Sequence, residues 1–272
     1  MQPATLPSDL AAALDALASR LPPLSSTPIF FTTIGSTNDV AATLAAAGGG
    51  EGAVVIAETQ TAGRGRRGHY WFSPPGAGLY VSVVLAPGRA RSAPDRATSL
   101  LTLSAGVALA EAIERITGLG PAIKWPNDLL IGRRKLAGIL AEAVAASAGG
   151  TVTSVVVGYG INVSAAAYPH ELSDRATSLE SELGRPIDRA ALCAETLAAL
   201  AARYRDLLDA RFDAILDAWR ARAPGSRGAA IAWDEPGGAR TGTTAGVDEM
   251  GALLVRRDDR VERIVAGEVR WL

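Results

Sequence analysis

Cysteine is nearly absent from this chain of 272 residues: Cys193 stands alone, which excludes an internal disulfide and any cysteine-built zinc cage. That usage fits a reducing compartment, with Cys193 read as a small residue of a helix core. Histidine is almost as scarce, and His69 and His170 lie far apart without a matching ligand cluster, so no structural metal is expected. Net charge is missing too: at -1 the chain has no global basic field for nucleic acid, and any gathering of arginines has to be a local device. The N-terminus has no basic region leading into an apolar core, and no run reaches the roughly 18 apolar residues of a membrane span. The expectation is a cytoplasmic protein that engages neither membrane nor DNA.

What is present is concentrated between Glu58 and Tyr80, ETQTAGRGRRGHYWFSPPGAGLY, where glycines, arginines and aromatics crowd together. Gly63, Gly65 and Gly68 offer positive φ and close approach to a ligand, and Arg64, Arg66 and Arg67 offer forked donors for carboxylate and phosphate oxygens. The spacing matches G-x-G-x-x-G, but a dinucleotide turn has to open a helix, and His69 to Pro75 cannot start one. A phosphate-binding P-loop is excluded by the lack of a Gly-Lys-Ser/Thr ending. Three clustered arginines repel one another, so the stretch from Thr61 to Phe72 is expected to be mobile until an anion arrives.

Taken in order, leucines at helical spacing predict a helix over residues 9–21 behind Ser8 as cap. Phe30 and Phe31 read as a strand entering Ser36, Thr37 and Asn38; Ser36 or Thr37 would cap a helix to about Ala47, ended by Gly48, Gly49 and Gly50. That helix N-terminus is also an anion site, so capping and ligand contact are compatible. Strands are predicted over 53–57 and 79–85, and a core helix over 96–117. Ala122 to Lys124 then delivers a lone lysine into the turn Trp125-Pro126-Asn127-Asp128, where its ammonium needs an anionic partner. An edge-strand lysine that discourages aggregation is the plainer reading. Arg133 to Lys135 reads as a turn; Leu136 to Glu142 fits strand or helix by pattern alone, and Gly138 with the strand starting at Thr151 and carrying Gly158, Gly160 and Asn162 favours a hairpin. Residues 188–222 are helical with a break near Arg211. Four β-like pieces follow (229–233, 241–247, 252–256 and 261–272), with a turn at Glu235-Pro236-Gly237-Gly238. The fold class is α+β: a mixed sheet with packed helices over 1–223, then a small β-barrel over 224–272.

The ordered set Ser36-Thr37-Asn38, Gly63 to Gly68 with Trp71, Lys124 to Asp128, Lys135 to Leu140, and Gly158 to Asn162 resembles a biotin protein ligase, with Gly267-Glu268 similar to the family's closing motif. The resemblance implies a catalytic domain followed by an SH3-like barrel. It implies that biotin's carboxylate attacks the α-phosphorus of ATP, with Mg2+, to give biotinyl-5'-AMP, and that a lysine of a biotin carboxyl carrier protein, a subunit of acetyl-CoA carboxylase or a related carboxylase, then takes the biotin. It places Ser36, Thr37, Asn38, Gln60, Gly63, Arg64, Gly65, Arg66, Lys124, Gly138, Gly158 and Gly160 at biotin. Arg64, Arg66, Trp71, Lys124, Asn127, Asn162 and Trp219 fall at the adenylate. Lys124 and Arg66 are the catalytic pair, and no protein side chain is assigned to the metal. A homodimer is compatible with this reading.

Two departures stand out. His69 occupies a position where the family commonly has arginine, which makes the charge there depend on pH. Only 35 residues precede Ser36, with one helix and few basic groups, so the DNA-reading domain of regulatory members is expected to be absent. A lipoyl or octanoyl transferase of related fold remains an alternative, as do a non-catalytic biotin sensor and a single-strand nucleic-acid binder that stacks bases on Tyr70, Trp71 and Phe72.

Overall fold

The computed structural model describes residues 2–25, 27–48, 50–145, 152–235 and 238–272. The expected features at Gly49, Thr151 and Pro236-Gly237 lie outside them. The chain opens with α1 (Ser8–Ala16), then β1 (Ile29–Phe31), α2 (Thr37–Ala46), β2 (Val54–Ala57), β3 (Gly78–Leu85) and α3 (Pro94–Thr117). It continues through β4 (Ala122–Lys124), β5 (Asp128–Ile131), β6 (Arg134–Ala145) and β7 (Val152–Asn162) to α4 (Leu179–Leu183), α5 (Arg189–Leu208) and α6 (Phe212–Arg222). After a turn at Pro224–Ser226 come β8 (Arg227–Glu235), β9 (Gly238–Val247), β10 (Leu253–Arg257), β11 (Arg260–Ile264) and β12 (Val269–Trp271). The first seven strands make one mixed sheet in the order β1-β2-β3-β7-β6-β5-β4, and the last five make an antiparallel sheet, β11-β10-β9-β8-β12. The α+β class read from the sequence is the one observed.

Side-chain alternation assigns the two faces of the larger sheet. Leu79, Val81, Val83 and Leu85 of β3, with Val155, Val157, Tyr159 and Ile161 of β7, pack into the main core with α3 and α5. Helix α3 is apolar and long enough to cross a membrane by composition, yet 72% of its most apolar window is buried in this core. On the opposite face Val84 and Val156 pack under α2. Farther along that face the alternation changes to Tyr80 and Ser82 on β3, Gly158 and Gly160 on β7, and Gly138 on β6, with Ser82 paired to Gly158 and Gly138 to Gly160. Small residues in register leave a trough, and the trough is where the site lies.

Several local expectations are corrected. Ser8 sits inside α1, whose cap is Pro7, and the helix stops at Ala16, with Ala18–Arg20 forming a separate 3-10 turn. Arg134 and Lys135 belong to β6 rather than to the preceding turn, because they pair with Ile131 and Leu130 of β5. The last β-like piece is two strands, β11 and β12, separated at Gly267, whose φ of 138° favours glycine. The smaller sheet is fastened to the larger unit by the Trp125 indole, which donates to the Gly251 carbonyl at 3.0 Å, and by Arg96, which donates to the Glu249 carbonyl at 2.9 Å.

Candidate active site

A cavity of about 660 Å3 opens over the trough, and it gathers Ser36, Thr37, Asn38, Gln60, Arg64, Gly65, Arg66, Trp71, Lys124, Asn127, Gly138, Gly158, Gly160 and Asn162. Its two ends differ in chemistry. At one end the start of α2 is closed by a side chain from another segment: Gln60 Oε1 accepts from the Thr37 N–H at 2.9 Å and the Thr37 hydroxyl at 3.1 Å. Ser36 occupies the cap position but makes no capping bond, which corrects the simple cap reading. Gln60 Nε2 in turn donates to the Ser73 hydroxyl at 3.0 Å. These neutral, buried and mutually satisfied groups suit a polar but uncharged ligand.

The other end is cationic. Lys124 leaves β4 half-buried, and among the described residues it has no salt bridge; its Nζ stands 5.8 Å from the Trp271 ring of the smaller sheet. Burial pushes its pKa down, opposed by the Asp128 and Glu268 carboxylates and reinforced by Lys135. Arg66 donates to Asn127 Oδ1 at 3.2 Å and to the Gly267 carbonyl at 3.3 Å, and burial pulls its pKa down as well. Two desolvated cations facing one cavity favour an anionic ligand, whose charge would compensate them.

The glycine-arginine loop is built differently from the expectation. Of its three glycines only Gly68 has positive φ, at 79°, while Arg67 joins it at 56°. Gly63 does not line the cavity: a Cβ there would meet the Trp71 carbonyl at 2.3 Å, so the residue lets two loop segments touch. Arg64 has acidic partners, because it reaches Asp39 at 2.9 Å and Glu142 at 2.7 Å. At Arg64 the repulsion is therefore relieved by acids that the loop sequence alone does not contain. Arg67 is exposed and has no ion pair among the described residues. Trypsin is thus expected to cut first after Arg67, and an anionic ligand filling the cavity to slow that cut several-fold; equal digestion rates with and without such a ligand would refute closure over it.

Gly138, Gly158 and Gly160 serve this chain's own side chains. A Cβ at Gly160 would stand 2.3 Å from Trp71 Nε1, one at Gly138 would stand 3.0 Å from Trp71 Cζ3, and one at Gly158 would stand 1.9 Å from Asn38 Oδ1. The indole of Trp71 covers Gly160 and Gly138, the Asn38 amide oxygen fills the space beside Gly158, and both side chains line the cavity.

Residues 30–162 match the Biotin/lipoate A/B protein ligase family. A biotin–[acetyl-CoA-carboxylase] ligase of Mycobacterium tuberculosis is 35% identical over 240 residues, covering 86% of this chain and 85% of the relative. The chain belongs to this family. The bifunctional ligase/repressor BirA of Bacillus subtilis is 37% identical over 243 residues, covering 89% of this chain and 73% of that protein. Among solved structures, the biotin protein ligase of Aquifex aeolicus in complex with biotin and ATP superposes with a TM-score of 0.73 at 27% identity, over 90% of this chain and 98% of that one.

Within this family member, one adenylate residue inferred from the sequence is misplaced. Trp219 is fully buried in α6 among core side chains and does not reach the cavity. Its spacing along an apolar helix face explains why it packs inward. His69 does line the cavity, but it is exposed and 3.8 Å from Glu268. Asn127 and Asn162 spend their amide protons on the Ile139 and Thr177 carbonyls, at 2.8 and 3.0 Å, so they brace the walls. Sequence reasoning missed Ser82, Glu142, Tyr168, Arg175 and Trp271. The signals for the first two were a serine in the apolar strand 79–85 and a carboxylate on the same strand face as Gly138.

Proposed function

We infer that this chain is a biotin protein ligase that uses ATP, and the observation that carries the reading is one cavity with a neutral hydrogen-bonding end and a half-buried cationic end. The neutral end suits biotin's ureido ring and the cationic end its carboxylate together with the α-phosphate of ATP. A carboxylate oxygen forms a bond to the α-phosphorus as the bond to pyrophosphate breaks, giving biotinyl-5'-AMP and pyrophosphate. An acceptor lysine amine then attacks the acyl carbon, forms the amide, and releases AMP with loss of a proton.

Two anions have to approach before the first step, so charge neutralisation and alignment are the main demands on the protein. Lys124 and Arg66 supply the neutralisation, Trp71 the apolar floor, and the loop over 61–72 the exclusion of water from the acyl phosphate. Among the described residues no three carboxylate, histidine or cysteine side chains cluster as a metal cage. Mg2+ would be held through nucleotide oxygens and would supply charge neutralisation of the phosphates. The acceptor is a biotin carboxyl carrier domain, and the reaction is assigned to the cytoplasm.

Incubation with biotin, ATP, Mg2+ and a biotin carboxyl carrier domain is expected to label the carrier and release pyrophosphate. No labelling, or labelling with lipoate or octanoate in place of biotin, would overturn the assignment.

A further inference from the structure

Glu142 lies on β6 at the edge of the neutral end, and its Oε2 accepts from Asn38 Nδ2 at 2.7 Å. Asn38 is buried, and its Oδ1 accepts from the Ser82 hydroxyl at 2.5 Å. Ser82 is also 2.7 Å from the Thr37 hydroxyl, which contacts Gln60 Oε1. Gln60 Nε2 gives to Ser73, and Ser73 gives its one proton to the Trp71 carbonyl at 3.0 Å. A single chain of hydrogen bonds therefore runs from Glu142 to Trp71 beneath the cavity.

Counting protons shows where the chain has a choice. The Ser73 end is fixed, because the Trp71 carbonyl only accepts; Gln60 must then turn its oxygen to Thr37, where the backbone N–H already satisfies it. Ser82 has one proton and two neighbours, and it can give to Asn38 or to Thr37. Which it does depends on whether Asn38 presents oxygen or NH2. A carboxylate only accepts, so Glu142 requires the NH2 on its own side and the oxygen on Ser82.

We propose that Glu142 is a positioning residue for biotin's cyclic urea: it selects the amide orientation of Asn38, and through Ser82 the sense of the chain that underlies the neutral end. A urea ring offers a carbonyl acceptor and two N–H donors, so a reversed Asn38 would set like groups against like. The bare backbone at Gly158 fits this role, since the Asn38 Oδ1 points into the space a Cβ would occupy, 1.9 Å from it against 3.1 Å for Nδ2, and this seats the oxygen end of the amide against β7. The assignment rests on biotin occupying this cavity. Glu142 has a second partner, Arg64, which it shares with Asp39. Among the described residues no hydrogen bond joins the Asp39 carboxylate to the Asn38 amide, whose partners are Glu142 and Ser82, and this separates the two roles.

The test compares Glu142→Ala, Glu142→Gln and Asp39→Asn in pyrophosphate release, with biotin varied at saturating ATP. Removing the partner of a buried amide is expected to raise KM for biotin about tenfold in Glu142→Ala, with kcat within about twofold of wild type. Glu142→Gln keeps a carbonyl acceptor for Asn38 and is expected to recover most of that loss. Asp39→Asn is expected to stay within about twofold in KM. The Glu142 side chain is 33% exposed, so both Glu142 variants are expected to fold, with unfolding midpoints near wild type. An unchanged KM in Glu142→Ala, an equal rise in Asp39→Asn, or no recovery in Glu142→Gln would overturn the proposal. A wild-type protein that does not consume biotin would instead overturn the ligase reading on which it stands.

Discussion

Replacing Lys124 with methionine is expected to cut biotin-dependent pyrophosphate release by about 100- to 1000-fold, the usual loss when one group aimed at developing charge is removed. The same substitution is expected to leave the folded protein as stable as wild type or more so. The reason lies in the partners of the ammonium. It is half-buried, desolvation lowers its pKa, and among the described residues no carboxylate pairs with it, so it is held at a cost to folding that substrate anions would relieve. A lysine whose pKa in the folded state falls below its ordinary 10.5 binds fewer protons there than in the unfolded chain between those two values, so its presence makes stability rise with pH through that window. The gain in unfolding free energy of Lys124→Met over wild type is therefore largest below the window and vanishes above it. Chemical unfolding of both proteins from pH 7 to 10.5 measures this directly. A variant that unfolds more readily at pH 7, or that keeps near-normal pyrophosphate release, contradicts a chemical role for Lys124.

The sequence made Lys124 legible because a lone cation between apolar residues and a Trp-Pro turn is locally conspicuous. The strands and long helices were legible for a similar reason, since periods of two and 3.6 are written in consecutive residues. Contacts across the chain were not. Arg64 and Glu142 are 78 positions apart, and nothing near Arg64 indicates which acid will neutralise it. Gln60 caps α2 from 23 residues away, so a search for a local cap offered only Ser36 or Thr37. Trp219 shows the opposite error: a family resemblance offered a ligand contact, while the apolar face of its own helix already directed the side chain into the core. The glycines were rightly marked as places of close approach, but the approaching group is protein. Only the register that pairs Gly138 with Gly160 reveals that one indole covers both.

That pairing makes Gly160→Ala a severe change for one added methyl group. The new Cβ would fall 2.3, 2.4 and 2.8 Å from Nε1, Cε2 and Cζ2 of Trp71, three atoms of a rigid ring that cannot yield separately. The Trp71 backbone is held, with its N–H donating to the Gly63 carbonyl at 2.9 Å. The indole must therefore lift off the trough and take the arginine loop with it. Gly160 is not among the positive-φ positions, so the strain comes from overlap alone. Overpacking of this kind costs about 1–3 kcal/mol, and loss of the cavity floor is expected to weaken biotin binding more than tenfold. A double-mutant cycle isolates the cause: in a Trp71→Ala background, which binds biotin poorly for its own reasons, adding Gly160→Ala is expected to cost less than about 0.5 kcal/mol of stability. An equal penalty in both backgrounds would mean that the methyl group strikes something other than the indole, and that Trp71 does not form the floor of the site.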